Sequence, residues 1–309
     1  MTVVDVFSGG AAPPRSRTEV AGAKRRRRGA YALLTPSVIL VIGVFAVPLT
    51  LMLWRAFTDP VAGFGNFSWY VGDDVQRRVL LRTFTTGLEV TVICLILGYP
   101  YAYAMVAFGP KVRAVLTMLV LVPFWTSLMV RTFAWVILLQ DNGPAHAVLK
   151  LIGLGEVRLI RTNLGVVIGM SQILVPFMVL PLYAVMSGID RRLVLASSSL
   201  GARPLMSFAR IWAPLTMPGV GAGCLMVFIS SLGFYVTPAL LGSPDNALIS
   251  QQIYVQVNSL LQWGRGAAMG VVLLLLTFVV LAVLMLALRR ASSSTPRTSA
   301  RQADRREPS

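Results

Sequence analysis

Apolar residues fall in six long, nearly charge-free stretches, Leu33–Trp54, Thr83–Phe108, Ala114–Leu139, Leu164–Met186, Met217–Leu241 and Ala267–Leu288. Each exceeds the roughly 20 residues that a helix needs to cross a hydrocarbon layer of about 30 Å. Lipid offers no partner to backbone N–H and C=O groups, so each stretch is expected to be a helix. The pattern predicts an all-α integral membrane protein with six transmembrane helices spread over residues 31–290. Pro48, Pro100, Pro123, Pro176, Pro181 and Pro238 lie within or near the ends of these stretches. The carbonyls they free need protein or water partners, which favours bent helices around a polar path.

Residues 1–30 are rich in Gly, Ala, Pro, Ser and Arg and end in the run Lys24 to Arg28, a composition that cannot bury a core. They are expected to form a disordered basic tail, and residues 291–309 a second one. The first apolar stretch is long enough to span and lacks a small-x-small cleavage site, so it is expected to be a retained span rather than a signal peptide.

With 56% hydrophobic and 13% charged residues among 309, the composition excludes an ordinary soluble domain. A net charge of +16 raises the possibility of a nucleic-acid partner, but the basic residues gather in the tails and loops and suit a membrane surface better. If the N-terminus is inside, the inner segments hold 19 Lys and Arg and the outer loops 8. Without the tails, the inner loops are still about twice as dense in these residues as the outer ones. Both termini are therefore expected on the cytoplasmic side. Phe64, Phe67, Trp69, Tyr70 and Trp263 fall in the outer loops, where interfacial anchoring and docking of an external partner are both open.

Chemistry-bearing motifs are sparse. No HExxH, GxxxxGK[ST] or GxSxG occurs, and His146 stands without ligand-spaced companions. Cys94 and Cys224 lie in apolar stretches and read as packing residues. Gly219 and Gly223 have the spacing that lets two membrane helices approach closely.

The informative segment is the inner loop 188–214. A helix through Leu193, Leu195, Ala196 and Leu200 is expected to stop at Gly201, and Pro204 suits the first turn of a second helix. The tip is lined by Ala196, Ser197, Ser198, Ser199, Gly201 and Ala202, small enough for another protein to come close.

This loop resembles the coupling loop of bacterial binding-protein-dependent ABC importer permeases, Glu-Ala-Ala, three residues, Gly, nine residues, Ile-x-Leu-Pro. Ala196, Gly201, Ile211 and Pro214 match; Leu195 replaces the glutamate, Ser197 the second alanine and Ala213 the leucine. Pro123-Phe-Trp-Thr-Ser-Leu-Met-Val-Arg-Thr-Phe-Ala-Trp135, Leu174 to Tyr183, Pro214 to Gly219 and Trp263 to Ala268 resemble the spermidine/putrescine-type branch. That branch also includes permeases for opines, other amino compounds and ferric iron.

The resemblance implies a type I importer fold and alternating access. It implies a second permease subunit, a periplasmic solute-binding protein and an ATPase dimer gripping the loop at Leu195, Ala196, Ser197, Gly201, Ile211 and Pro214. It also implies that ATP is used by that partner, that this chain binds no cofactor or metal and catalyses nothing, and that it sits in the bacterial inner membrane. The resemblance points to a polyamine, opine or related amino compound as cargo. From the residues alone, a secondary transporter or channel working without an ATPase stays open, though neither a clear repeat nor a chain of acidic residues is present.

Glu89 and Arg131 are the ionisable residues inside the apolar stretches, where charge is expensive enough to face protein or water. Counted from the turn at Lys111 they lie 22 and 20 residues away, so two straight helices would place them nearly level. An intramembrane ion pair and a role in the solute path are both open.

Overall fold

The computed structural model describes residues 17–151, 153, 155, 157–190, 192–199 and 201–293, and every regular element among them is helical. The chain divides into two compact units, Met1–Trp54 and Arg55–Ser309. Helix α1, Arg17–Thr58, supplies the first and carries the candidate span Thr35–Thr58. It begins inside the expected tail, so residues 17–30, basic run included, are helical rather than disordered. Residues 1–16 of that tail and 294–309 of the other lie outside the described residues.

In the second unit α2 (Gly65–Gly72) is followed by α3 (Asp74–Ala107), α4 (Pro110–Leu121), α5 (Leu128–Leu139) and α6 (Pro144–Leu151). Then come α7 (Asn163–Ser187), α8 (Arg192–Ser199), α9 (Pro204–Ser207), α10 (Ala213–Leu232) and α11 (Val236–Leu241). The last two are α12 (Ile249–Tyr254) and α13 (Trp263–Ser293).

Five helical segments in the described residues are long and apolar enough to cross a membrane: Thr35–Thr58, Asp74–Ala107, Asn163–Ser187, Pro204–Leu232 and Trp263–Val283. The third expected span, Ala114–Leu139, is not one straight helix. It divides into Pro110–Trp125 and the segment starting at Leu128, which meet at 99°. The count is six when this bent pair is taken as one span. A tight turn at Val122–Trp125 includes Pro123, which has no N–H to continue the helical ladder, and Thr126 is extended at ψ 142°. The other prolines inside helices, at 36, 48, 100, 176, 181 and 218, leave their helices continuous.

The expected fifth span, Met217–Leu241, also differs. It begins earlier, at Pro204, and ends at Leu232, where Gly233 follows; Val236–Leu241 is the separate α11. Pro238 falls in the first turn of α11, where its missing N–H leaves no bond unmade.

The bundle is built on mutual packing of α3, α7 and α10. Their meeting point is Met178 of α7, fully buried. A Cβ on Gly98 of α3 would lie 2.8 Å from Met178 Cγ, and one on Gly223 of α10 would lie 2.6 Å from its Sδ. A Cβ on Gly219 would lie 3.1 Å from Val185 Cβ. The GxxxG pair on α10 therefore faces α7, and bare backbone admits the thioether from both sides. Cys94 is buried, its thiol donating to the Ser171 carbonyl at 3.5 Å, and both cysteines are free. Large apolar side chains such as Ile96, Val130 and Leu275 remain exposed, as a hydrocarbon solvent permits.

Gly98→Val and Gly223→Val are each expected to destabilise the protein by about 1–3 kcal/mol through overpacking, read as a lowered melting temperature in detergent. Gly72→Ala, with open space around its Cβ position, should leave melting unchanged. Combining Gly223→Ala with Met178→Ala should cost less than the sum of the single changes, since the smaller side chain removes the clash.

Candidate functional site

The segment 188–214 folds as two helices around a left-handed turn. The Asp190 carboxylate accepts from the Arg192 backbone N–H at 2.9 Å and caps α8. Gly201 stands at φ +79°, and the Ala202 N–H donates to the Ser197 carbonyl at 3.1 Å. This six-to-one bond across a left-handed residue closes α8 as a Schellman stop. Pro204 opens α9 at its first position. The buried Ser197 hydroxyl donates to Ser207 Oγ at 2.7 Å and pins the two helices together.

Ala196 and Gly201 are exposed, as is Leu205 at 82%. Leu195 lies within α8, but its side chain, like all of Leu200, is outside the described residues. Ile211 is half-buried within a π-helical turn, Phe208–Trp212, and Pro214 is exposed in the first turn of α10. The second helix of the loop thus runs without interruption into a membrane span.

A group of aromatic residues, not singled out in the sequence, ties this helix to α3. The Phe208 ring lies edge-on to Tyr99 and Tyr103 at 6.1 and 6.2 Å between centroids, and Tyr103 meets Trp212 at 5.6 Å. The hydroxyls of Tyr99 and Thr216 share a hydrogen bond at 3.1 Å. The signal was available: Tyr99 and Tyr103, like Phe208 and Trp212, are four apart and so share a helix face.

Glu89 and Arg131 are not brought together. Arg131 Nη2 donates to the Pro123 carbonyl at 2.5 Å and to the Thr126 carbonyl at 3.1 Å. It joins the Thr126 N–H and hydroxyl as a further donor to the Pro123 carbonyl, and ties that carbonyl to the Thr126 carbonyl across the break in the third span. The levelling arithmetic assumed a straight helix beyond Lys111, and the 99° bend before Leu128 invalidates it. Glu89 Oε2 instead accepts from Asn163 Nδ2 at 2.7 Å, and Asn163 Oδ1 accepts from the buried Thr86 hydroxyl at 3.0 Å. The ion pairs found among the described residues are Arg77 with Asp74 and Arg158 with Asp141.

The aromatic residues around α2 are largely structural. Tyr70 is 2% exposed in a small core with Val79, Ile249 and Met269, and burial pushes its hydroxyl up to about 12. The Arg265 guanidinium lies 4.5 Å over the Trp69 ring, and Arg55 lies 5.2 Å over Trp263. Phe64, packed edge-on to Phe57, remains exposed. No group of three metal-ligating side chains occurs among the described residues.

Residues 94–293 match the family described as binding-protein-dependent transport system inner membrane component. The spermidine/putrescine transport system permease protein PotB of Escherichia coli (strain K12) is 37% identical over 222 residues, covering 71% of this chain and 79% of that protein. The inner membrane ABC transporter permease protein YdcU of the same organism is 32% identical over 276 residues, covering 81% and 86%. Among solved structures, a chain of a bacterial alginate ABC transporter in complex with alginate pentasaccharide-bound periplasmic protein superposes with a TM-score of 0.71 at 20% identity, covering 87% of this chain and 96% of that one. A chain of the MetNI methionine ABC transporter in inward-facing conformations superposes at 0.53 and 15% identity, covering 75% and 99%. These similarities identify the fold as that of type I importer permeases.

Gly201→Ala is expected to cost about 1 kcal/mol from its left-handed backbone alone, since nothing lies within 4 Å of the added carbon. The loss should appear as faster hydrogen exchange in residues 192–207, with no change for Gly188→Ala, whose φ is −85°. Arg131→Met, which removes the charged donor shared by the Pro123 and Thr126 carbonyls, should cost about 1.5–3 kcal/mol in detergent melting, and Arg131→Lys should recover part of it.

Proposed function

The chain belongs to the binding-protein-dependent transport system inner membrane components, and taking it as the permease subunit of an ABC importer, we propose that it carries a polyamine-class organic cation inward. It is a multi-pass inner membrane protein. In this reading both termini and the loop 188–214 face the cytoplasm, and an ATPase dimer grips that loop at Leu195, Ala196, Ser197, Gly201, Ile211 and Pro214. ATP is bound and hydrolysed there, while this chain holds no cofactor. A second permease subunit completes the path, and a periplasmic solute-binding protein delivers cargo to the outer face.

The reading is best supported by the mechanical continuity of the loop. Its exposed small-residue tip is pinned by Ser197 and Ser207, continues through α9 into α10, and is tied to α3 by Tyr99, Tyr103, Phe208 and Trp212. Force applied at Gly201 would reach two of the three helices that meet on Met178. ATP binding would then favour one access state over the other by the difference in its binding free energy to each. The denser Lys and Arg in the inner loops support the orientation. The cargo is supported by similarity to permeases whose names specify spermidine and putrescine.

The test is uptake of labelled spermidine by liposomes holding this chain, its partner permease and its ATPase, with binding protein outside. Uptake is expected to need internal ATP and to vanish when the ATPase is omitted. Uptake by this chain alone without ATP would sink the ATPase-coupled mechanism; ATP-dependent movement of neutral solutes but of no polyamine would sink the cargo assignment.

A further inference from the structure

We propose that Glu89 is a cation subsite on the solute path, held for an ammonium group by Asn163 and assisted by Thr85. The proposal rests on the reading of the cargo as an organic cation, and adds to it the group that receives the charge inside the membrane.

Glu89 lies six residues past Thr83, where the apolar part of α3 begins, so it sits about 9 Å inside the span. A carboxylate at that depth requires a cation or a water-filled cavity beside it. The other ionisable residue of the apolar stretches cannot serve, because the Arg131 guanidinium is committed to the Pro123 and Thr126 carbonyls. Glu89 forms no ion pair among the described residues; its recorded partner is the neutral amide of Asn163.

That partner is itself held in place. Asn163 opens α7, with the Thr86 hydroxyl donating to its Oδ1, so its Nδ2 is directed to Glu89. The positive end of the α7 dipole thus lies beside the carboxylate. Glu89 Oε1 accepts no hydrogen bond among the described residues, and the residue is exposed.

The face around Glu89 suits an ammonium group better than a metal ion or an anion. Thr85, one turn earlier and also exposed, donates its hydroxyl to the Arg82 carbonyl and keeps its lone pairs for an incoming donor. One carboxylate oxygen and one hydroxyl oxygen can accept from two of the three N–H donors of a primary ammonium. No group of three carboxylate, histidine or cysteine side chains forms among the described residues, so the ligand set of a metal ion is not assembled here. Arg82, on the same stripe two turns further out, is turned to the Ala247 carbonyl at 3.4 Å.

The complete transporter in proteoliposomes tests the proposal. Glu89→Gln is expected to lower kcat/KM for spermidine uptake about tenfold, as loss of a charge-assisted contact implies, in a complex that still assembles. In the wild type, carbodiimide modification of Glu89, read by mass spectrometry, should be slowed several-fold by spermidine and not by a neutral polyol. Wild-type uptake by Glu89→Gln, or labelling of Glu89 indifferent to spermidine, overturns the subsite. Dissociation of the two permease subunits in Glu89→Gln, combined with unprotected labelling, assigns the carboxylate to the subunit interface and also overturns it. A wild-type transporter that moves no organic cation refutes the cargo reading instead, and is distinguished by failing before any substitution is made.

Discussion

The bundle depends on how closely three helices can approach one sulfur atom. Lipid gives apolar side chains little reason to leave it, so helices in a membrane adhere by fit rather than by expulsion of water. At Met178 that fit comes from two glycines on opposite sides, Gly98 and Gly223, which let the thioether lie against α3 and α10 together. The flexible, polarisable side chain fills the irregular gap that bare backbone leaves. Both ends of the candidate site hang from this contact, since α3 carries Glu89, Tyr99 and Tyr103 while α10 continues from the coupling loop.

Most of the architecture was legible because hydrocarbon thickness acts directly on sequence: long charge-free stretches have few alternatives to helix. The GxxxG face of α10 and the turn at Gly201 were legible for equally local reasons, as close approach and positive φ both select glycine. The break in the third span was not, since Val122 to Ser127 carries no charge and a membrane proline leaves most helices intact. Pro100, Pro176 and Pro181 illustrate that tolerance; Pro123 departs from it, with Thr126 and Arg131 both donating to its carbonyl.

The two intramembrane charges show where reasoning by depth stops. Residue counting compared levels along assumed axes, whereas partners are decided by which atoms each helix presents. Arg131 found carbonyl oxygens eight and five residues away in its own chain, and Glu89 found an amide at the start of α7. Asn163 carries no strong sequence signal, because an asparagine at a helix start reads as ordinary capping vocabulary. Its role appears once α3 and α7 are set side by side.

The π-helical turn at Phe208–Trp212 has a geometric consequence for the loop it joins to the membrane. Such a turn takes up one residue more than an α-helical turn, so the helix before it is out of phase with the helix after it. Each residue in an α-helix accounts for about 100° of rotation. Deleting a single residue there would swing the exposed face at Leu205 roughly a quarter turn around the axis and carry Phe208 away from Tyr99 and Tyr103, while α10 beyond the turn keeps its place against α7. The aim of the loop is therefore set in this one turn, and insertions or deletions there offer a route by which related chains could change the partner they address by remaking one aromatic contact rather than repacking their spans.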